Sequence, residues 1–234
     1  MKRTSVIIPV RGLYGGKSRL ASVLNADERA VLIGAMAKQV IDAVARAGIA
    51  DSIIVVSREA DLLPRLGTSG IRTELVHQPV HSAGLNAAID LGRRDALRRK
   101  ADRVLVLSAD LPLLTATSIG CLAGDRVPAD VTLVTDRAGV GTNALMLRGE
   151  AAIERFPFHF GQNSRRLHRE AAADLATSYS ERCVQEIAHD LDTPDDWAML
   201  SREKRQDLLT PLSSPHLPSF GAIGIDPVAV LERA

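Results

Sequence analysis

The sequence predicts an α/β fold: a mostly parallel, doubly wound sheet with helices on both faces and an antiparallel addition. Four short stretches, residues 5–10, 52–56, 72–76 and 103–107, carry apolar and β-branched residues and alternate with helical stretches. Strands apolar on both faces belong to parallel sheets covered by helices, and their alternation with helices is the β-α-β rhythm of such sheets. After Asp110 the rhythm loosens, and candidate strands at 131–135 and 144–147 are joined through Asp136-Arg137-Ala138-Gly139, a turn suited to an antiparallel pair. With 234 residues, 46% of them hydrophobic, the chain can bury a core of single-domain size.

Each element has its own signal. Residues 5–10 form a buried first strand, ended by Pro9 and a glycine-containing loop at 11–18. Asn25 with Glu28 three residues on makes a capping box, and Leu32, Met36, Val40 and Val44 form one buried helical stripe that Gly48 ends. Residues 52–56, 72–76 and 103–107 are the next three strands, with a helix from near Ser82 to about Arg99 before the last of them. A further helix is expected to start near Asn163. A final strand over 186–191 is expected to lead into a helix at Pro194. From Ser201 the composition shifts to Pro211, Pro215, Pro218, Pro227 and several serines. This divides the chain into a single domain, 1–200, and a tail, 201–234. Two roles are open for the tail: a partly ordered arm, or a segment packing on the second subunit of a homodimer.

Lysine plus arginine number 29 against 28 for aspartate plus glutamate, so no global field steers the protein to nucleic acid or a membrane. Recognition must come from a local site. Cys121 and Cys183 stand far apart without CxxC spacing, which argues against a disulfide framework, a structural zinc site or a redox motif; both are expected to be reduced core thiols. The N-terminal apolar run stops at Pro9 and Arg11, too short for a signal peptide or membrane span, so the expected location is the cytoplasm.

Chemistry concentrates in a few places. Asp110 follows the run Val104–Leu107 and precedes Pro112, which puts its carboxylate at the carboxyl end of a buried strand, where open α/β sheets bind ligands. An ordinary Asp turn ahead of a proline is the plainer alternative. Asp190 and Asp192 are two apart, and on a strand both would share a face. Thr193, Pro194, Asp195 and Asp196 already cap the next helix, so the pair is free to hold a hard cation through oxygen, magnesium or manganese. The loop Arg11-Gly-Leu-Tyr-Gly-Gly-Lys17-Ser18 fails the P-loop spacing by one residue. Its Arg11, Lys17 and Arg19 can still wrap a triphosphate. Gly161-Gln-Asn163-Ser164-Arg165-Arg166 opens a helix with hydroxyl, amide and basic groups, an anion-binding start in which the arginines call for a negative ligand. Gly141-Thr142-Asn143 is a second small polar turn suited to the same ligand. Gly84-Leu-Asn86 either cradles a nucleobase or permits close helix packing. The six histidines show no catalytic constellation, and His168 alone lies near the anion site.

Taken together, PVRGLYGGKSRL at 9–20, GLNAAI at 84–89, ADLPLL at 109–114, GTNALMLR at 141–148, FGQNS at 160–164 with His168, and DLDTPDD at 190–196 resemble the CofC/FbiD family. The resemblance covers residues 1 to about 200, with its elements in the family's order. It implies a MobA-like nucleotidyltransferase fold and a guanylyltransferase that joins GTP to a three-carbon phospho-acid in coenzyme F-420 biosynthesis, releasing pyrophosphate. The acid would be 2-phospho-L-lactate, phosphoenolpyruvate or 3-phospho-D-glycerate. It also implies that Asp110, Asp190 and Asp192 bind one or two magnesium ions, with manganese able to substitute. Thr142, Gly161 and Ser164 would hold the phospho-acid, and Lys17 the triphosphate. The sequence departs from the expected pattern at Gly15-Gly16, at Gln162-Asn163 and in the extended tail.

The implied reaction needs no general base, because a phosphate monoester, with a second pKa of about 6, is already largely dianionic at neutral pH. Its barrier is the meeting of two anions in line. Two alternatives stand beside it: a nucleotidyltransferase acting on a sugar phosphate or molybdopterin, and a P-loop-like GTPase or binding module.

Overall fold

The computed structural model describes residues 2–67, 72–82, 84–123 and 129–210. Its centre is a seven-stranded sheet in the order β3-β2-β1-β4-β6-β5-β7. The strands are β1 (Thr4–Pro9), β2 (Ser52–Ser57), β3 (Thr73–His77), β4 (Arg103–Leu107), β5 (Val131–Val134), β6 (Ala144–Arg148) and β7 (Tyr179–Arg182). β1 to β4 are parallel; β6 runs antiparallel to both β4 and β5, and β7 returns parallel to β5. The expected parallel sheet with an antiparallel addition is therefore present. Residues 4–8 and 52–57 are wholly buried, as strands covered on both faces must be.

Helix α1 (Ala26–Ala47) begins at the expected capping box: Asn25 accepts from the Glu28 amide, Glu28 answers to the Asn25 amide, and Gly48 ends the helix left-handed. α1, α2 (Leu62–Leu66) and α4 (Ala116–Ala123) lie over one sheet face, where Val40, Val44 and Leu62 meet Val6, Ile8 and Ile53. α3 (Leu85–Arg98), α5 (Glu150–Arg155) and α6 (Ser164–Asp174) contribute the opposite core, Ile89, Ile153 and Ala172 against Ile7, Val104 and Leu145. At Gly92 of α3 an added Cβ would stand 2.6 Å from Ile7 Cγ2, so glycine is what lets this helix lie against β1.

Four expectations are corrected. Residues 186–191 do not form a strand: α7 (Gln185–Ala188) is one helical turn, followed by an extended stretch into α8 (Pro194–Met199). The seventh strand is β7 instead, whose sequence YSER lacks apolar alternation because it lies at the sheet edge. Both cysteines are exposed rather than buried; Cys121 faces out from α4 while Ile119 and Leu122 face in. Finally, Arg202–Leu209, placed in the tail by composition, form α9, which packs Leu208 and Leu209 against Trp197 and Met36. The rest of the expected tail, 211–234, lies outside the described residues. Among the described residues no helix is long and apolar enough to cross a membrane.

Candidate active site

The strand registers bring every element of the site to one edge of the sheet. Ile7 is level with Val106, Leu107 with Ala144, and Val134 with both Ala144 and Arg182. The ends of β1, β4, β5 and β7 and the start of β6 therefore share an edge, the edge at which open α/β sheets bind ligands. A cleft of about 580 Å³ opens there between the loops that follow β1 and β4. Of the sequence-derived candidates, Arg11, Lys17, Arg19, Gly84, Asp110 and Asp192 line it. Arg58, at the end of β2, is a lining cation that the sequence did not single out.

The loop over this cleft is held from behind. Glu59 accepts the Leu13 amide at 2.9 Å, and a Cβ on Gly12, whose φ is +154°, would come within 2.7 Å of the same carboxylate oxygen. Lys17 then sits left-handed, with φ 52° and ψ 40°, ahead of a short 3-10 turn (Ser18–Ser22), so its side chain reaches into the cleft. Its Nζ stands 2.5 Å from Asp110 Oδ2 and 2.6 Å from Asp192 Oδ1. Burial lowers the pKa of this ammonium, but the two carboxylates and their hydrogen bonds outweigh it, and the group lies above its ordinary value.

Asp190 and Asp192 reach the site by a route other than a strand face. The Leu191 amide donates to the main-chain carbonyl of Asp110 at 3.1 Å, which ties the extended stretch to the β4 loop. Asp196 accepts the Asp192 amide, and with Thr193 it completes the capping box of α8, so neither Asp190 nor Asp192 is spent as a cap. Asn143 does what the sequence did not show. Its Nδ2 donates to the carbonyls of Ile187 and Ala188 and to Asp190 Oδ1, at 3.0, 3.2 and 3.2 Å, so it fixes the one-turn helix and the carboxylate together. Burial raises the pKa of Asp190, and the charges of Asp110 and Asp192 add to the rise against the Asn143 hydrogen bond.

Asp110 and Asp192 thus share a single ammonium, and Asp190 lies near both carboxylates. The excess of negative charge and the all-oxygen donor set fit a hard divalent cation. Among the described residues no three such side chains are already in ligating geometry, since Lys17 stands between Asp110 and Asp192.

The remaining candidates lie beside this cluster. Thr142 is next to Asn143 at the start of β6 and bonds His168 Nδ1 at 3.1 Å. Gly161, at φ +123°, turns the chain into α6, where the Ser164 hydroxyl is wholly buried and, among the described residues, has no hydrogen-bond partner. Asn86 does not face the cleft as a base reader: its amide accepts from the Phe160 N–H at 2.8 Å and donates to the Phe160 carbonyl at 3.1 Å, joining α3 to this turn. The arginines of the turn already have protein partners. Arg165 meets Glu181 at 2.7 Å and Arg166 meets Glu170 at 2.7 Å, so they do not stand waiting for an anion.

Fold and site together define a nucleotidyltransferase: a ligand cleft at the carboxyl edge of the sheet, basic on its rim and acidic at its base. A nucleotidyl transferase from Methanothermobacter thermautotroptrophicus shares the fold, with a TM-score of 0.61 at 17% identity over 89% of this chain and 99% of that one. Residues 4–209 match the family model described as guanylyl transferase CofC like, and the chain belongs to that family. A phosphoenolpyruvate guanylyltransferase of Sphaerobacter thermophilus is 38% identical over 82% of this chain and 90% of its own length. A 3-phospho-D-glycerate guanylyltransferase of Phenylobacterium zucineum is 34% identical over 84% and 88%. A 2-phospho-L-lactate guanylyltransferase of Haloarcula marismortui is 33% identical over 82% of each.

Proposed function

We propose that this enzyme transfers the guanylyl group of GTP to the phosphate of a three-carbon phospho-acid, as a step of coenzyme F-420 biosynthesis. A phosphate oxygen of the acid attacks the α-phosphorus, the bond to the β-phosphate oxygen breaks, and pyrophosphate leaves with the electron pair. The observation that carries the reading is the convergence of Asp110 and Asp192 on Lys17, with Asp190 close enough to both carboxylates to feel their charge, in a cleft rimmed by Arg11, Arg19 and Arg58. The three carboxylates would hold magnesium, with manganese as a substitute. The bound cation would neutralise charge where the two anions meet.

The chain's own residues account for the rest. The rim arginines attract the triphosphate, and the loop after β1 sets Lys17 against the leaving pyrophosphate once Asp110 and Asp192 release it. Asn143 keeps Asp190 in place, while Thr142, Gly161 and Ser164 receive the phospho-acid next to it. No side chain must remove a proton, since the attacking phosphate is already ionised. The three relatives carry three different acids in their names at similar identity, so pocket shape decides among them. Incubation with GTP, magnesium and each acid in turn, read as pyrophosphate release, tests the proposal. Release with one of the acids is expected; release only with a sugar phosphate, or with no acceptor at all, would sink it.

A further inference from the structure

The wholly buried His168 is left over from this account. It lies on α6 among Phe156, Phe160 and His159, with ring centroids 5.8, 5.0 and 6.1 Å away. Its two nitrogens have fixed partners. Nε2 lies 2.9 Å from the main-chain nitrogen of His159, and Nδ1 lies 3.1 Å from Thr142 Oγ1.

An amide N–H can only donate, so Nε2 must present its lone pair. A neutral imidazole carries one proton, which is then confined to Nδ1, and Nδ1 donates to Thr142 Oγ1. Burial, with a smaller push from His159, lowers the imidazole pKa to about 3, in keeping with a ring that stays neutral. The hydroxyl of Thr142 has thus filled an acceptor position, and its own proton must point to another acceptor. Among the described residues Thr142 Oγ1 has no second partner.

A second observation points the same way. The Ser164 hydroxyl, at the start of α6, is 0% exposed and has no hydrogen-bond partner among the described residues. The first amides of that helix are already used, Ser164 N–H by the Gly161 carbonyl and Arg165 N–H by the Val140 carbonyl. An anion at this turn must therefore be met by hydroxyl protons rather than by those two amides.

Resting on the reading that Thr142 contacts the phospho-acid, we infer that His168 is a positioning residue: its locked tautomer forces the Thr142 hydroxyl to act as an obligate donor to the substrate's anionic group. The relay runs from the His159 N–H through the imidazole to the Thr142 hydroxyl and then to the ligand. It selects acceptors, phosphate or carboxylate oxygens, and disfavours a substrate that offers a donor at that point.

Two measurements on the full chain test this. Nitrogen-15 NMR of histidine-labelled enzyme at neutral pH is expected to show His168 with the proton on Nδ1; a proton on Nε2 would overturn the relay. In kinetics, Thr142→Val and His168→Phe are each expected to raise KM for the phospho-acid about tenfold, the cost of one hydrogen bond to a charged group, with KM for GTP held within about twofold. The double variant is expected to be no worse than Thr142→Val alone, because His168 acts through that hydroxyl. Additive losses would make His168 an independent packing residue and defeat the inference. A Thr142→Val variant with unchanged KM would defeat the substrate assignment of Thr142 instead, whatever the NMR shows.

Discussion

The two halves of the sheet edge are built by different means. Where β1, β2 and β4 end, the cleft is lined by exposed Arg11, Arg19 and Arg58 on loops. Where β6 begins and α6 starts, the groups are buried and largely neutral, and they are held by side chain to main chain bonds: Asn86 to Phe160, His168 to His159, Asn143 to Ile187 and Ala188. Exposed cations attract a highly charged nucleotide over a distance and tolerate movement. Buried hydroxyls recognise a small anion only if their donors are aimed in advance, so this half spends its hydrogen bonds on orientation. Asp110, Asp190 and Asp192 sit at the seam between the halves.

The largest effects are expected at that seam. Asp110→Asn should lower kcat about 100-fold or more, the loss that follows removal of one preorganised electrostatic group, with the thermal midpoint little changed. Near-wild-type turnover would remove Asp110 from the chemistry. On the buried side, acid should weaken the fold through His168. Its folded pKa of about 3 lies below the unfolded value of 6.5, so protons favour the unfolded chain. The stability it contributes is complete above pH 6.5 and is lost as the pH falls towards 3. Between pH 7 and 5 this amounts to about 2 kcal/mol. Denaturant melts of wild type and His168→Phe at both pH values measure it, and equal slopes in the two proteins would contradict it.

A smaller effect is expected at Asn143. Asn143→Ala should lower kcat/KM about tenfold with either substrate varied, in line with losses of groups that orient metal ligands. An effect confined to stability would show that Asp190 needs no such support. The smallest effect is a control remote from both halves: Asn25→Ala removes the α1 cap and should cost about 1 kcal/mol in a denaturant melt, with kcat unchanged.

The same contrast explains what the sequence revealed. The parallel strands β1, β2 and β4 were legible because burial on both faces leaves continuous apolar runs, and the α1 cap because its partners are three residues apart. Asp110 and the basic loop were legible as residues that follow such strands. The opposite half depends on bonds between distant positions. Nothing near Asn143 shows that it will reach Ile187, and nothing near Arg165 shows that Glu181 will neutralise it. Residues 186–191, Glu-Ile-Ala-His-Asp-Leu, lack the strict apolar-polar alternation of a strand, and the chain closes one turn of helix at Gln185–Ala188, where Asn143 caps two carbonyls. The edge strand β7, half-buried and polar, has no periodic signal to read.

The central claim is guanylyl transfer with pyrophosphate as the leaving group. Phosphorus-31 NMR of GTP, magnesium and the preferred phospho-acid with this enzyme tests it directly. The account predicts loss of the monoester and triphosphate resonances together, and growth of a coupled diphosphate pair beside free pyrophosphate. Formation of GDP and inorganic phosphate, with the monoester resonance unchanged, would contradict it.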